Sequence, residues 1–168
     1  MLDRFFDKLN QYLGNITAVL MLLVMLNVFI DVVLRYFFNN GSIALQELEW
    51  HLFSVMFLFG ISYALQDEAH VRVDFIYDTL PKKRKAMINI IGTIFMLIPF
   101  AAFIAYGSYE FVYDAYDMDE ISEDPGGLTH RWIIKAMIPL SFFILILSSL
   151  GYIFKNIQMI KKLKGKSW

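Results

Sequence analysis

Four long apolar segments constrain this chain more than any other feature of its sequence. They cover residues 16–34, 52–65, 88–106 and 136–154, and the last three contain no charged residue. A helix needs about 20 apolar residues to cross the hydrocarbon core of a bilayer, and the second segment reaches this length when its amphipathic start is included. With 58% hydrophobic residues, the chain offers too little polar surface for a soluble domain of its length. We predict an all-α integral membrane protein with four transmembrane helices.

The helices are predicted at about 13–37, 44–66, 86–112 and 130–158, in a single membrane domain that covers residues 1–168. No Ser- or Pro-rich linker, internal repeat or low-complexity tract divides the chain. The first apolar segment follows Arg4 and Lys8, as in a signal peptide, but it is too long and no small-residue cleavage site follows it. We expect it to remain as a membrane helix.

The distribution of charge predicts the orientation of the spans. Twelve of the 15 Lys and Arg residues lie in the N-terminal region, the loop 65–85 and the C-terminal region, which four spans place on one side. Short loops rich in Lys and Arg stay in the cytoplasm, so both termini are predicted to be cytoplasmic. The segment 114–124 reads DAYDMDEISED and carries six acids without a base, so we expect it to face the periplasm or exterior.

The loop between the second and third helices has an amphipathic pattern of its own. Val73, Ile76, Tyr77 and Leu80 recur at helical spacing before Pro81, which indicates a short interfacial helix; an ordinary solvated loop is the alternative. The basic residues around it are predicted to set the topology and to contact anionic lipid headgroups. They are Arg72, Lys82, Lys83, Arg84 and Lys85.

Polar residues at membrane depth are the next candidates for function. Asn27, Asp31 and Arg35 are spaced four apart, so they lie on one stripe of the first helix. We predict a structural polar seam against a partner helix, with an ion pathway as the alternative. Glu47 and Glu49 come at the outer start of the second helix, where a capping or docking role is expected.

No cofactor, metal site or catalytic centre is predicted. The chain has no cysteine, and its three histidines, His51, His70 and His130, lack the helical spacing of zinc ligands. The net charge of −1 gives no bias toward nucleic acid. No nucleophile–base pair or phosphate-binding loop supports an enzyme. A haem-bearing membrane anchor of a respiratory enzyme, using His51 and His130, and a self-contained small oligomeric transporter remain alternatives.

The order of several short motifs resembles the small membrane subunit, often called Q, of tripartite ATP-independent periplasmic (TRAP) transporters. The resemblance spans nearly the whole chain, although this chain has Gln46-Glu47 where the family often has two adjacent acids. The motifs are Asn27 with Arg35-Tyr36, Gln46-Glu47-Leu48, FLFG at 57–60, HVRVD at 70–74 followed by Leu80-Pro81, and Gly126-Gly127 followed by Trp132 and Pro139.

The resemblance implies a helper subunit in a bacterial inner membrane. Its expected partners are a large multi-helix subunit that moves an organic acid with a sodium gradient and a periplasmic substrate-binding protein. Sialic acid and C4-dicarboxylates are both open as substrates, and the wording around Gly126-Gly127 favours sialic acid. The acids expected to guide the binding protein, with a merely solvated loop as the alternative, are Asp117, Asp119, Glu120, Glu123 and Asp124.

Overall fold

All regular structure in the described part of the chain is helical. The computed structural model describes residues 2–66, 77 and 79–164. A short π-helical turn joins the third and fourth helices. The elements are α1 (Leu2–Phe37), α2 (Ile43–Gln66), α3 (Lys82–Gly92), the π-helical turn (Thr93–Leu97), α4 (Ile98–Asp117) and α5 (Trp132–Lys164).

Four spans in the described residues are long and apolar enough to cross a membrane: α1, α2, the continuous unit of α3, the π-helical turn and α4, and α5. The prediction of an all-helical chain with four such helices is therefore confirmed. The side on which the termini lie stays a prediction. The predicted interfacial helix falls largely outside the described residues, as do Val73 and Ile76, while Leu80 closes a turn by donating its N–H to the Tyr77 carbonyl at 3.1 Å.

The helices continue beyond the apolar segments into polar sequence. α1 begins at Leu2, well before the apolar segment at residue 16, and α5 continues beyond residue 154 to Lys164. At the other end of α1, Asn39 takes a left-handed conformation (φ 49°), which asparagine tolerates better than most residues. The Asn40 N–H then turns back to the Leu34 carbonyl at 3.0 Å, and the helix ends.

α5 is the central helix of the molecule. It contacts α1, α2, α3 and α4, whereas α1 packs mainly on α2. The core is small and is formed by Leu65, Ala101, Leu145 and Tyr152. Buried serines at positions 62, 141, 148 and 149 lie between the spans, where small side chains allow helices in a membrane to approach closely.

The third span changes its helical geometry at its middle. Pro99 has no N–H to donate and its ring would crowd a preceding carbonyl in a regular α-helix. The widened π-helical turn ends at Leu97, two residues before Pro99. The Ile98 N–H donates to the carbonyl of Thr93, five residues earlier, instead of the carbonyl four residues earlier that a regular α-helix would use. The span therefore stays continuous through a proline without a break.

Candidate functional site

The loop 118–131 between α4 and α5, called the acidic loop below, is hydrogen-bonded to the side chain of Glu47 in α2. Glu47 lies one turn into α2 and is only 8% exposed. Its Oε1 accepts a hydrogen bond from the Ser122 hydroxyl at 2.5 Å, and its Oε2 accepts one from the Leu128 N–H at 2.5 Å. Hydrogen bonds to a carboxylate are stronger than those between neutral groups, so they offset the cost of burying the charge.

The acidic loop also closes on itself through its backbone. The Arg131 N–H donates to the Glu120 carbonyl, and the Ser122 N–H donates to the Leu128 carbonyl, both at 3.0 Å. These bonds bring the two ends of the loop together, as in a compact Ω-loop. The turn at its tip uses Gly126, whose φ of 88° lies in the region that favours glycine.

Gly127 allows the loop to approach Glu47 closely. A Cβ at this position would lie 2.7 Å from Glu47 Oε2 and would also collide with the Ser122 side chain. A larger residue would therefore have to displace either the carboxylate or the serine. The two glycines are needed for different reasons. Gly126 adopts a backbone conformation that favours glycine, and Gly127 leaves space for the Glu47 and Ser122 side chains.

Glu120 differs from the other acids of the predicted docking patch because it is paired within the chain. Its carboxylate forms an ion pair with Lys135, and Arg131 Nε lies 3.9 Å from its other oxygen. The Lys135 ammonium also lies 4.0 Å from the centre of the Phe111 ring, and the Arg131 guanidinium 5.8 Å from that of Trp50. The acids that remain exposed are Asp117, Asp119, Glu123 and Asp124.

The predicted polar seam lies at the contact between α1 and α2. Asn27 is buried, and its Nδ2 donates to the Leu45 carbonyl at 2.8 Å. Asp31 is 4% exposed and forms an ion pair with Arg35, whose side chain is 45% exposed. Asp31 Oδ1 has no hydrogen-bond partner among the described residues. Glu49, two residues beyond Glu47, is half-buried.

The two described histidines have different surroundings. His51 is half-buried and its ring lies against Trp50, with centroids 4.0 Å apart. His130 is exposed, with Nδ1 at 2.9 Å from the Thr129 hydroxyl. In the described part of the chain, no group of three or more His, Cys, Asp and Glu side chains could hold a metal ion.

The predicted lipid-facing bases lie at the start of α3, at the end of the molecule opposite the acidic loop. Lys82, Lys83 and Arg84 are exposed, while Lys85 is half-buried with its ammonium 4.8 Å from the centre of the Tyr77 ring. Arg72 lies outside the described residues.

A set of polar contacts near this basic end was not predicted from the sequence. Gln66 Nε2 donates to the Ser148 carbonyl at 2.8 Å, which joins α2 to α5. Asn89 Nδ2 donates to Asn156 Oδ1 at 3.2 Å, which joins α3 to α5, and Tyr77 donates its hydroxyl to Asn89 Oδ1 at 3.0 Å. The sequence signal for these contacts is the presence of Gln66, Asn89 and Asn156 in or beside apolar helices, because a side-chain amide needs a hydrogen-bond partner in the membrane.

Comparisons with known proteins agree with this architecture. A family model described as "Tripartite ATP-independent periplasmic transporters, DctQ component" matches residues 24–159. A TRAP transporter small permease protein of Haemophilus influenzae is 36% identical over 64% of this chain, and the match spans 62% of that relative. The ectoine TRAP transporter small permease protein of Halomonas elongata is 30% identical over 85% of this chain and 71% of its own length.

A third relative differs in its length. The sialic acid TRAP transporter permease protein of Haemophilus influenzae is 24% identical over 80% of this chain, but the match covers only 21% of that relative. The segment similar to this chain is thus one part of a much longer permease polypeptide.

Proposed function

We propose that this chain is a rigid scaffold in a sodium-driven organic acid transporter. It belongs to the DctQ component family of tripartite ATP-independent periplasmic transporters and is a TRAP small permease subunit. The observation that carries this proposal concerns the carboxylates. Among the described residues, the buried carboxylates are those of Asp31 and Glu47, and both bind other groups of the chain. Asp31 is paired with Arg35, and Glu47 accepts hydrogen bonds from Ser122 and Leu128, so these contacts support a structural role over an ion relay.

The proposed partner in the membrane is a large multi-helix permease subunit. The long permease relative supports this, because there a segment similar to this chain forms only 21% of the polypeptide. The spans also leave many large apolar side chains exposed, including Phe29 of α1 and Phe103 of α4. In a membrane, such surfaces are covered either by lipid or by another membrane subunit.

The acidic loop is the proposed docking surface for a periplasmic binding protein. Glu47 and the loop's own hydrogen bonds fix its shape, which lowers the entropy lost when a partner binds. The exposed carboxylates at 119, 123 and 124, with that of Asp117 at the end of α4, give it a negative surface that attracts a partner with a basic face. Glu120 contributes less, since its charge is compensated by Lys135.

The proposed location is the bacterial inner membrane, with the acidic loop on the periplasmic side. The proposed substrate is an organic acid, and sialic acid is favoured over a C4-dicarboxylate. One relative is named for sialic acid and another for ectoine, so relatives of this chain serve chemically different solutes. The small subunit does not have to recognise the substrate in this arrangement, because the binding protein and the large subunit do.

Reconstituted uptake tests this function. The chain should co-purify with the large subunit, and proteoliposomes that hold both should accumulate radiolabelled sialic acid when binding protein and an inward sodium gradient are supplied. The chain alone should give no uptake. Sodium-driven uptake by the chain alone would instead establish a self-contained transporter, and uptake by the large subunit alone at the full rate would remove the scaffold role.

The same assay tests docking by the acidic loop. Asp117, Asp119 and Asp124 are changed to Asn, and Glu123 to Gln. The initial rate at limiting binding protein should fall about tenfold at low salt, because steering by exposed charges acts on the association rate. Saturating binding protein should restore it, and high salt should reduce the difference because exposed charges are screened over about 8–10 Å. An unchanged rate at low salt and limiting binding protein would assign docking elsewhere.

A further inference from the structure

A cavity of about 940 Å³ opens at the basic end of the molecule, between the first turns of α1, the start of α3 and the last turns of α5. Its charged lining is strongly unbalanced. Among the described residues that line it, four are lysines, which come from two helices, and one, Asp7, is an acid. They are Lys82 and Lys85 of α3 and Lys155 and Lys162 of α5. A concave site with this excess of positive charge concentrates anions.

The rest of the wall is partly apolar. Phe6, Ala86, Met159 and Leu163 line the same cavity as the lysines. A site for a small free anion would have no use for this apolar surface, because the anion carries its own hydration and hydrogen-bonding demand on every side. The combination suits an amphiphile whose anionic head meets the lysines and whose apolar part lies against the remaining wall.

The walls of the cavity are fixed by contacts between helices. Asn156 is 3% exposed, its Nδ2 donates to the Tyr152 carbonyl at 2.9 Å, and its Oδ1 accepts from Asn89. Phe6 packs so closely on Gly151 that a Cβ there would lie 2.6 Å from the ring. The concave shape therefore belongs to the packed helices and does not depend on a ligand for its formation.

We propose that this cavity binds one anionic glycerophospholipid, with the headgroup phosphate among the four lysines and the glycerol and upper acyl carbons against the apolar wall. Its position supports this occupant, because it lies where the apolar spans give way to polar helix ends, at the level of lipid headgroups. Basic pockets between membrane helices hold anionic headgroups in the same way. The site is independent of the transported substrate.

The cavity selects some of the basic residues and leaves out their neighbours. Lys82 and Lys162 line it, whereas Lys83 and Lys161, one position away on the same two helices, do not. A general attraction between a basic surface and an anionic membrane would depend equally on the two lysines that line the cavity and on their two neighbours. A defined site uses only the first pair, and this difference provides a matched control of equal charge.

The test measures lipid retained by the full-length chain in mild detergent. Delipidated protein is titrated with dioleoyl phosphatidylglycerol or dioleoyl phosphatidylcholine, and bound lipid is counted by native mass spectrometry. We expect one tightly retained phosphatidylglycerol and weaker retention of phosphatidylcholine. The Lys82→Gln/Lys162→Gln variant should bind phosphatidylglycerol at least tenfold more weakly, whereas Lys83→Gln/Lys161→Gln should change binding less than threefold. Lys82→Arg/Lys162→Arg should retain binding, which separates loss of charge from loss of fold.

Three outcomes would overturn the proposal. Equal weakening by the two Gln pairs would show delocalised attraction, and equal retention of the two lipids would show that the anionic head is not recognised. Inorganic phosphate that displaces phosphatidylglycerol at constant ionic strength would show a site for a free anion. None of these measurements uses transport, so a result that overturns the lipid site leaves the proposed function unaffected.

Discussion

At the scale of single residues, Glu47 joins α2 to a distant part of the chain at the acidic end. It receives hydrogen bonds from a hydroxyl and a backbone N–H that lie 75 and 81 positions further along the chain. Burying a charge is costly unless hydrogen bonds or an opposite charge compensate it, and both oxygens of this carboxylate accept hydrogen bonds. Glu47 therefore fixes the acidic loop to α2 at two points, Ser122 and Leu128.

The Glu47→Gln variant should loosen the acidic loop. A glutamine has one acceptor oxygen, so its NH₂ group faces either Ser122 or Leu128 and leaves that donor poorly paired, at a cost of about 1–3 kcal/mol. Amide hydrogen exchange in residues 118–131 should become roughly five- to 100-fold faster. Glu49→Gln is the matched control, since Glu49 lies on the same helix and is half-buried. Equal protection in the two variants would contradict the role given to Glu47.

The location of Glu47 could be predicted from sequence, but its partners could not. An acid in the first turns of a helix suits the helix dipole, and this explains the expectation of a capping or docking role. The contacts with Ser122 and Leu128 depend on how α2 packs beside α5 and on the fold of the acidic loop. The Gly126-Gly127 pair is visible in the sequence, but the need for space at Gly127 appears only once the Glu47 carboxylate is placed next to it.

At the scale of elements, the polar seam joins α1 to α2 at one point and carries a charge pair at the next turn. Asn27 reaches the Leu45 carbonyl in α2, while Asp31 is buried and paired with Arg35 on its own helix. Arg35 is 45% exposed, so it can reach the polar interface while its guanidinium neutralises the buried acid. The pair therefore lets α1 carry a carboxylate into the helix contact.

The Arg35→Ala variant should destabilise the α1–α2 contact more than it changes ion coupling. Stranding a buried charge costs about 3–5 kcal/mol, and the exposure of Arg35 reduces this to about 1–2 kcal/mol. We expect a lower melting temperature of the purified complex with an unchanged sodium dependence of uptake. The Arg35→Ala/Asp31→Asn double variant should recover most of the stability, because no charge is left unpaired. A stable complex with altered sodium stoichiometry would indicate an ion pathway instead.

The number of spans followed from segment length, but their arrangement did not. A membrane helix is apolar on the sides that face lipid and on those that face other helices, so its periodicity does not show which side packs. The central position of α5 is a consequence of its small buried residues, such as Ser141, Ser148 and Gly151. Ser148 follows Ser141 by seven residues and Gly151 follows Ser148 by three, and these helical spacings are the sequence signal that indicates a packed face.

At the scale of the whole molecule, charge is divided between the two ends. The first turns of α1, the start of α3 and the last turns of α5 surround one cavity and carry lysines, while the loop between α4 and α5 carries exposed acids at the opposite end. The translocation machinery retains short basic segments on the cytoplasmic side. The two-ended distribution of charge therefore also predicts orientation.

Reporter fusions test this orientation. A fusion after Lys85 or after Trp168 should have cytoplasmic activity, because both positions follow basic segments, and an insertion at Asp119 should have periplasmic activity. Fusions to alkaline phosphatase and to a cytoplasmic fluorescent reporter at the same positions give opposite readouts and control for expression. Periplasmic activity at Trp168 would contradict the orientation.

The central position of α5 also sets the order in which the protein can mature during synthesis. α1 and α2 contact each other and can pair as soon as both have left the ribosome, but α3 and α4 pack mainly on α5, which is made after both of them. The 33 residues of α5 take roughly 2–7 s to translate. For that interval the third span, with its small Ala101 face, waits in the bilayer without its partner. A nascent chain stalled in the acidic loop is therefore the form most exposed to membrane proteases and to mispairing with other subunits.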